Sequence, residues 1–164
     1  MEFLKIRSIL LLSTIILCAS CGPQQIRGEA PFVSISSLSV QGETLSLLVD
    51  IRNINDVEMN ITSVDLNIRV EEEELLRYQN AIDISIDPST TEEVVMDQLP
   101  VNAAAALLAE LESGAVASLP FSLDGQIQTF EDGSLGFKHE GHLYPIPGKP
   151  GQYRSATSRT RERR

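Results

Sequence analysis

The chain has 164 residues and a formal net charge of −10, with 5% aromatic residues and no tryptophan. This length suits a single domain with one core, which isoleucine, leucine and valine must build. Residues 22–148 carry five basic and 21 acidic side chains, whereas residues 149–164 carry six basic and one acidic. A body with a balance of −16 argues against nucleic-acid binding and against a general affinity for anionic lipid headgroups.

The first 20 residues have the pattern of a secretory signal peptide. Lys5 and Arg7 give a cationic start, an apolar stretch of about ten residues follows over residues 8–17, and small residues come next. The apolar stretch is well short of the roughly 20 residues that span a bilayer as a helix. We therefore predict a signal peptide over residues 1–20.

Cys21 directly follows Ala19 and Ser20 and precedes Gly22. This arrangement resembles the lipobox of bacterial lipoproteins, although Cys18 stands where that pattern usually has an aliphatic residue. The resemblance implies that the Cys21 thiol is acylated and becomes the mature N-terminus. It also implies an outer-membrane lipoprotein facing the periplasm in a Gram-negative cell, because no Asp follows the cysteine.

The cysteine count agrees with acylation. Once the signal peptide leaves, Cys21 is the only cysteine of the mature chain and has no internal disulfide partner. The alternative is an ordinary signal peptide cut near Ser20, which leaves a free thiol. Residues 21–31, with two prolines and two glycines, are predicted to form the lipidated N-terminus and a tether.

From residue 32 onward, apolar and polar residues alternate, which is typical of strands with one buried and one solvated face. Such strands are characteristic of antiparallel sheets, and five to eight short ones predict a sandwich. The alternating stretches are Val33–Ile35, Leu45–Ile51, Val64–Val70, Ile82–Ile86, Leu119–Ile127 and Leu135–Phe137.

One segment predicts a helix instead. Four alanines follow Asn102, a residue suited to the N-cap, and Gly114 stands where a left-handed C-terminal residue is expected. We predict a helix of about ten residues that closes one end of the sandwich. Its apolar face comprises Ala104, Leu107, Leu108 and Leu111.

Residues 149–164 lack apolar periodicity and are predicted to be a disordered basic tail. The arginines from Arg154 to Arg164 leave several partners open. They could bind phosphate-bearing lipopolysaccharide or an acidic protein, or fold back on the acidic body.

The stretch Leu47–Asn55 resembles the opening of the late-embryogenesis-abundant group 2 (LEA-2) domain, also called the water-stress and hypersensitive-response (WHy) domain. In that family a strand ends in Asn-Pro-Asn, and here Asn53 and Asn55 flank Ile54. The later stretches that carry the resemblance are Ile61–Val70, Leu123–Ile127, Gly133–Phe137 and His142–Gly148.

This resemblance implies an immunoglobulin- or fibronectin-III-like sandwich of about seven strands with one helix, which we assign to residues 32–148. It also implies a role in tolerating water stress. Independently of any family, Asn53 and Asn55 suit a turn, because asparagine bonds to nearby backbone groups and tolerates left-handed conformations. We interpret both as structural residues of the turn.

Motifs for chemistry are weak. His139 and His142 lie three apart, so a strand would direct them to opposite faces, which does not suit a shared metal. The carboxylates Glu71–Glu74 lack the glycine and spacing of a calcium loop and predict a solvated turn or strand edge. We identify no nucleophile elbow and no phosphate loop. The sequence predicts no enzyme, no cofactor and no metal.

The function predicted from these observations is that of a non-enzymatic, membrane-anchored periplasmic lipoprotein that protects other proteins under desiccation or other water stress. Its partner is the membrane, through the lipid on Cys21, and no small-molecule substrate is indicated. The alternative is an interaction module in assembly of, or transport across, the cell envelope, with function in loops or exposed strand edges.

Overall fold

The computed structural model describes residues 25–100 and 104–157. These residues form eight β-strands and one α-helix. In chain order the elements are β1 (Phe32–Gln41), β2 (Thr44–Arg52), β3 (Met59–Val70), β4 (Glu73–Ile86), β5 (Thr91–Pro100), α1 (Ala105–Ser113), β6 (Leu119–Thr129), β7 (Gly133–Pro145) and β8 (Gln152–Thr157).

The strands form one antiparallel sheet in the order β4-β3-β6-β7-β8-β1-β2-β5. The sheet curls until it is nearly closed and barrel-like, with β4 and β5 as its edges. The prediction of an all-β protein with one short helix is therefore confirmed. Its strands are continuous in one sheet, where we expected about seven strands in two.

Irregularities in strand pairing allow this curl. A β-bulge places an extra residue in one strand and increases the local twist, so a sheet with several bulges can bend around a core. The register shifts fall between Ile35 and Ser37, Leu45 and Leu47, Ile61 and Ser63, and Ile68 and Arg69.

The core is aliphatic, as the composition requires. On β2, Leu45, Leu47, Val49 and Ile51 are all buried, while the residues between them are partly exposed. The same alternation on β3 and β6 directs every second side chain inward. Burying each large aliphatic side chain contributes about 1.5–3 kcal/mol, so this shared interior is the main source of stability.

Two glycines on β6 and β7 each lie opposite a phenylalanine. Gly125 pairs with Phe137, and Gly141 pairs with Phe121. A Cβ at Gly125 would lie 2.9 Å from the Phe137 ring, and one at Gly141 would lie 2.6 Å from the Ala156 carbonyl oxygen. Neither glycine has room for a side chain. The ring of the paired phenylalanine occupies the space beside it, so no cavity is left at these positions of β6 and β7.

Helix α1 agrees with the prediction at its C-terminal end. Gly114 has φ 78° and its N–H bonds to the last turn, as expected of a left-handed cap. At the other end Ala104 occupies the N-cap position and provides no side-chain bond, so the predicted capping by Asn102 stays a prediction. Asn102 itself lies outside the described residues. Ala104, Leu108 and Leu111 are buried, as the predicted apolar face requires.

The prediction of disorder from residue 149 is wrong for β8, which belongs to the sheet. This strand lies between β1 and β7 and pairs with both. The Ser155 hydroxyl also donates to the Ile35 carbonyl oxygen. Tyr153 is the buried side chain that anchors β8, and one apolar residue in a short polar strand gives no periodic signal. The domain thus extends to at least residue 157, and residues 158–164 lie outside the described part.

Candidate functional site

The described chain begins at residue 25, at one end of the barrel, which we call the tether end. Cys21 and the rest of residues 1–24 lie outside the described residues, so the predicted acylation stays a prediction. The described chain enters the fold at this end. The tether end comprises residues 25–31, the β2–β3 loop (53–58), the β4–β5 turn (87–90) and the β6–β7 turn (130–132).

Asn53 lies at the centre of the tether end, with none of its surface exposed. Its side-chain nitrogen donates to the carbonyl oxygens of Val57 at 2.7 Å, Ile86 at 3.1 Å and Asp87 at 3.3 Å. Its backbone N–H donates to the Thr90 carbonyl oxygen at 2.9 Å. One asparagine thus joins the β2–β3 loop to the β4–β5 turn.

Asn55, which is 1% exposed, extends this network to the entering chain. Its backbone N–H donates to Asn53 Oδ1 at 2.9 Å, and its Nδ2 donates to the same oxygen at 3.1 Å. Its Oδ1 accepts from the Glu29 N–H at 2.9 Å, while its Nδ2 donates to the Glu29 carbonyl oxygen at 3.0 Å. The side-chain amide of Asn55 therefore bonds both the N–H and the C=O of Glu29, as the backbone of a neighbouring strand would.

A second pair of bonds fixes the chain three residues earlier. The Ile26 N–H donates to Asp56 Oδ2 at 2.8 Å, and the Asp56 N–H donates to the Ile26 carbonyl oxygen at 3.0 Å. We call Asn53, Asn55 and Asp56, with their bonds to Ile26 and Glu29, the asparagine clamp. Since its buried polar groups are satisfied by directional bonds, the clamp fixes the position of the entering chain.

Both asparagines lie in the loop between β2 and β3, and the sequence did not predict the reach of their bonds. Neither has a positive φ, so the tolerance of asparagine for left-handed conformations is not what this loop uses. The partners Ile26 and Glu29 are 30 and 26 residues away along the chain. No local period reports such a contact, although two asparagines flanking an apolar residue are a signal for side-chain-to-backbone bonding.

The β6–β7 turn completes the tether end. The Phe130 N–H donates to the Asn60 carbonyl oxygen at 3.0 Å. The Asn60 side chain donates to Glu131 Oε1 at 2.7 Å, and this bond lowers the pKa of Glu131 below its ordinary value. Asp132 N–H donates to the Thr129 hydroxyl at 3.1 Å. The turn is therefore held in place while the Phe130 side chain is 82% exposed.

The outer face of β3, β6 and β7 holds an open polar depression of about 650 Å³. Asn67 Oδ1 and Asp124 Oδ1 are buried there without a hydrogen-bond partner among the described residues, although Asp124 Oδ1 lies 3.7 Å from the Arg69 guanidinium. Arg77 and Lys138 also line the depression. Carboxylates, amides and two cationic side chains thus share this depression, and its lining contains no histidine, cysteine or serine.

The two histidines lie on opposite faces of β7, as their spacing predicts. His139 is buried, with its ring 5.0 Å from that of Phe32 and 6.0 Å from that of Phe121. Burial lowers the pKa of His139, and the neighbouring Glu140 partly opposes that effect. His142 is on the outer face beside Tyr144. In the described ranges, no group of three or more potential metal ligands is found.

The carboxylates Glu71–Glu74 are exposed, as predicted for a solvated turn. Glu71 and Glu72 form the β3–β4 turn, where Glu71 has φ 55°, and Glu73 begins β4. Among the residues that the structure covers, no helix is both long and apolar enough to cross a membrane.

Comparisons with known proteins find structural likeness only. No family model matches the chain, and no curated protein matches it either. A solution structure of AT1g01470 from Arabidopsis thaliana has 10% identity and a TM-score of 0.49, covering 79% of this chain and 85% of its own. A crystal structure of a protein from Archaeoglobus fulgidus has 11% identity and a TM-score of 0.43, covering 72% of this chain and 98% of its own.

Proposed function

We propose that this protein is a non-enzymatic lipoprotein, anchored through acylated Cys21, whose LEA-2/WHy-like domain protects neighbouring proteins when water is lost. In a Gram-negative cell it would face the periplasm from the outer membrane. The lipobox-like sequence supports the anchor. The barrel-like sheet is consistent with a curled immunoglobulin- or fibronectin-III-like sandwich, with β5-β2-β1-β8 and β7-β6-β3-β4 as its two halves.

The observation that carries the protective role is the confinement of charge to the outside of the domain. Within the described part, the polar residues that are buried as a whole are Asn53, Asn55, Thr129 and His139, and none of them is an Asp, Glu, Lys or Arg. The acidic excess of residues 22–148 therefore lies at the surface, where it binds water and repels other acidic chains. A hydrated acidic body held at a membrane would separate neighbouring proteins as water activity falls.

A drying assay tests this role. A labile enzyme is dried and rehydrated with the purified chain or with an equal mass of albumin, and its recovered activity is measured. We expect greater recovery with the chain, and less of that benefit when Glu71–Glu74 are replaced by glutamine. Recovery no better than with albumin would refute the protective role. The glutamine variant is a suitable control because these exposed carboxylates lie outside the core.

One observation favours the alternative role as an interaction module. Strand β5 is an edge of the sheet, and Val95 at its middle is 60% exposed. An edge strand can accept a strand from a partner, with a pocket or apolar side chain giving specificity. A photo-crosslinker at position 95 in cells, compared with one at Lys138 on the outer face of the interior strand β7, tests this. Discrete adducts from position 95 alone would support the module, and equal labelling would count against it.

A further inference from the structure

The tether end is the apolar end of an otherwise polar surface. Ile26 is 50% exposed, Ile54 is 42% exposed and Phe130 is 82% exposed, and all three lie in the loops of this end. Phe32, also exposed, is the first residue of β1 beside them. Among the large hydrophobic side chains that are described, Val95 is the exposed one that lies elsewhere. We call Ile26, Ile54 and Phe130 the apolar rim.

The apolar rim is held in place by the fold. Ile26 is fixed by its two bonds to Asp56, which is two residues from Ile54. Phe130 is fixed by the bond from its N–H to Asn60. The backbones of Ile26 and Phe130 are therefore bonded into the fold, and Ile54 lies between Asn53 and Asn55, which bond to each other. Scattered apolar residues on a surface need no explanation, but a group confined to one end indicates a contact.

The length of the entering chain identifies that contact. Ile26 is five residues after Cys21, and an extended chain spans at most about 3.6 Å per residue, so the two lie within about 18 Å of each other. The asparagine clamp holds the chain from Ile26 to Glu29 against the domain, because both residues are bonded to the β2–β3 loop. The tether therefore gains no further length after Ile26. Acyl chains on Cys21 would therefore bring this end, and no other, to the bilayer.

The surrounding charges indicate which part of the bilayer the rim contacts. Four carboxylates lie around it, on Glu29, Asp56, Glu131 and Asp132, against one cation beside Ile26, Arg27, and the bond from Asn60 lowers the pKa of Glu131. Carboxylates are repelled by anionic headgroups, so attraction of charge does not explain binding here. The apolar side chains instead suit the boundary between headgroups and acyl chains, where apolar residues of peripheral proteins insert.

We propose that the apolar rim inserts into the surface of the bilayer that holds the protein's own lipid anchor, so that the barrel stands upright with α1 farthest from the membrane. The inference rests on the proposed anchor at Cys21. It gives the domain one orientation and directs the polar depression sideways along the membrane surface. The open strand β5 would then extend away from the bilayer.

The absence of tryptophan in the chain allows a direct test. Phe130→Trp places a single tryptophan in the rim, and Ile54→Trp repeats the measurement at a second rim position. Val95→Trp is the control on β5, at an exposure between those of the two rim positions. The full lipidated chain is reconstituted into phosphatidylcholine vesicles with brominated acyl chains. Tryptophan quenching and emission wavelength are measured at low and high salt, and thermal unfolding verifies that each variant is folded.

We expect a blue shift and quenching for Phe130→Trp and Ile54→Trp, unchanged by salt, with a water-exposed signal for Val95→Trp. Equal signals from the rim and from position 95, in a chain that floats with the vesicles, would overturn the orientation and leave the anchor intact. Mass spectrometry that finds an unmodified Cys21, with the chain remaining in solution, would refute the anchor and this inference with it.

Discussion

The two ends of the barrel are closed in different ways. The end opposite the tether, which we call the helix end, is closed by α1, whose Leu108 and Leu111 are buried against the core. Tyr153 joins them, and its hydroxyl donates to the Leu108 carbonyl oxygen at 3.2 Å. The tether end is closed by two buried asparagines that bond to backbone groups of three separate segments.

The two kinds of closure serve different purposes: apolar burial at the helix end contributes mainly to stability, and hydrogen bonds at the tether end fix the position of the entering chain. Apolar burial is non-directional and contributes in proportion to area, so the helix end tolerates small shifts of α1. Amide hydrogen bonds contribute less in net free energy but require a defined geometry, and they are costly when broken. The clamp therefore suits the end where the chain must enter at a fixed point, and the apolar closure suits the end that only excludes water.

The largest expected effect comes from removing the side chain that anchors β8 at the helix end. Tyr153→Ala should lower the free energy of unfolding by about 3–5 kcal/mol, because a buried aromatic ring leaves a cavity. Arg154→Ala, on the exposed side of the same strand, should cost less than about 1 kcal/mol, including its contact 5.4 Å from the Tyr144 ring. Urea unfolding measures both. Equal effects would mean that β8 is not part of the core.

At the tether end, Asn53→Ala should lower the free energy of unfolding by about 2–3 kcal/mol, because the carbonyl oxygens it bonds lose a buried donor. Asn53→Asp should not restore stability, since a carboxylate cannot donate to those oxygens. Asn60→Ala, which removes an exposed bond to Glu131, is the matched control. A stable Asn53→Asp variant would contradict the roles of donor and acceptor in the clamp.

Asn55→Ala should cost about 1–2 kcal/mol and act locally, because Asn55 bonds Glu29 as well as Asn53. We expect faster amide hydrogen exchange at Glu29, with exchange in β2 and β3 near that of the unmodified chain. Leu111→Ala at the helix end should instead raise exchange throughout the sheet. If both variants changed hydrogen exchange in the same way, the tether end would not be a local closure distinct from the apolar closure of the helix end.

The smallest expected effect is a change in how the free energy of unfolding depends on pH. Because the pKa of His139 is lowered from 6.5 in the folded state, the unfolded chain binds a proton there before the folded chain does. Stability from the neutral imidazole is therefore present above pH 6.5 and is lost as pH falls toward the folded pKa. His139→Phe should weaken the dependence of unfolding free energy on pH in that window. His142→Phe, on the outer face, should leave it unchanged, and the reverse result would contradict burial as the cause.

The strands that a sequence reveals are those with one buried and one solvated face. Strands β2, β3 and β6 alternate in this way and were predicted. Strand β5 was not, because Val94, Val95 and Met96 are consecutive apolar residues although Val95 points outward. Strand β8 was also missed, since Tyr153 alone carries its burial. An edge strand and a short bridging strand depend on neighbours far along the chain, and a local period does not report them.

Contacts between distant parts of the chain were also missed at the asparagine clamp. The asparagines stood out because their residue type suits a turn, but their bonds to Ile26 and Glu29 are long-range. The closure of the sheet into one barrel-like body depends on register shifts at the unpaired Ser36 and Thr62, which interrupt the alternation without a distinctive residue type. The predicted sandwich was therefore close in secondary structure and inexact in topology.

The position of β8 has a consequence for how the chain acquires its structure. Of the described strands, β8 comes last along the chain, yet it lies between β1 and β7, so the hydrogen-bonded sheet is in two parts until residues 152–157 join it. Contacts that join distant parts of a chain form late and slowly. A nascent chain therefore cannot complete this sheet before β8 has emerged, and a truncation before Gln152 would leave β1 and β7 without the strand that links them.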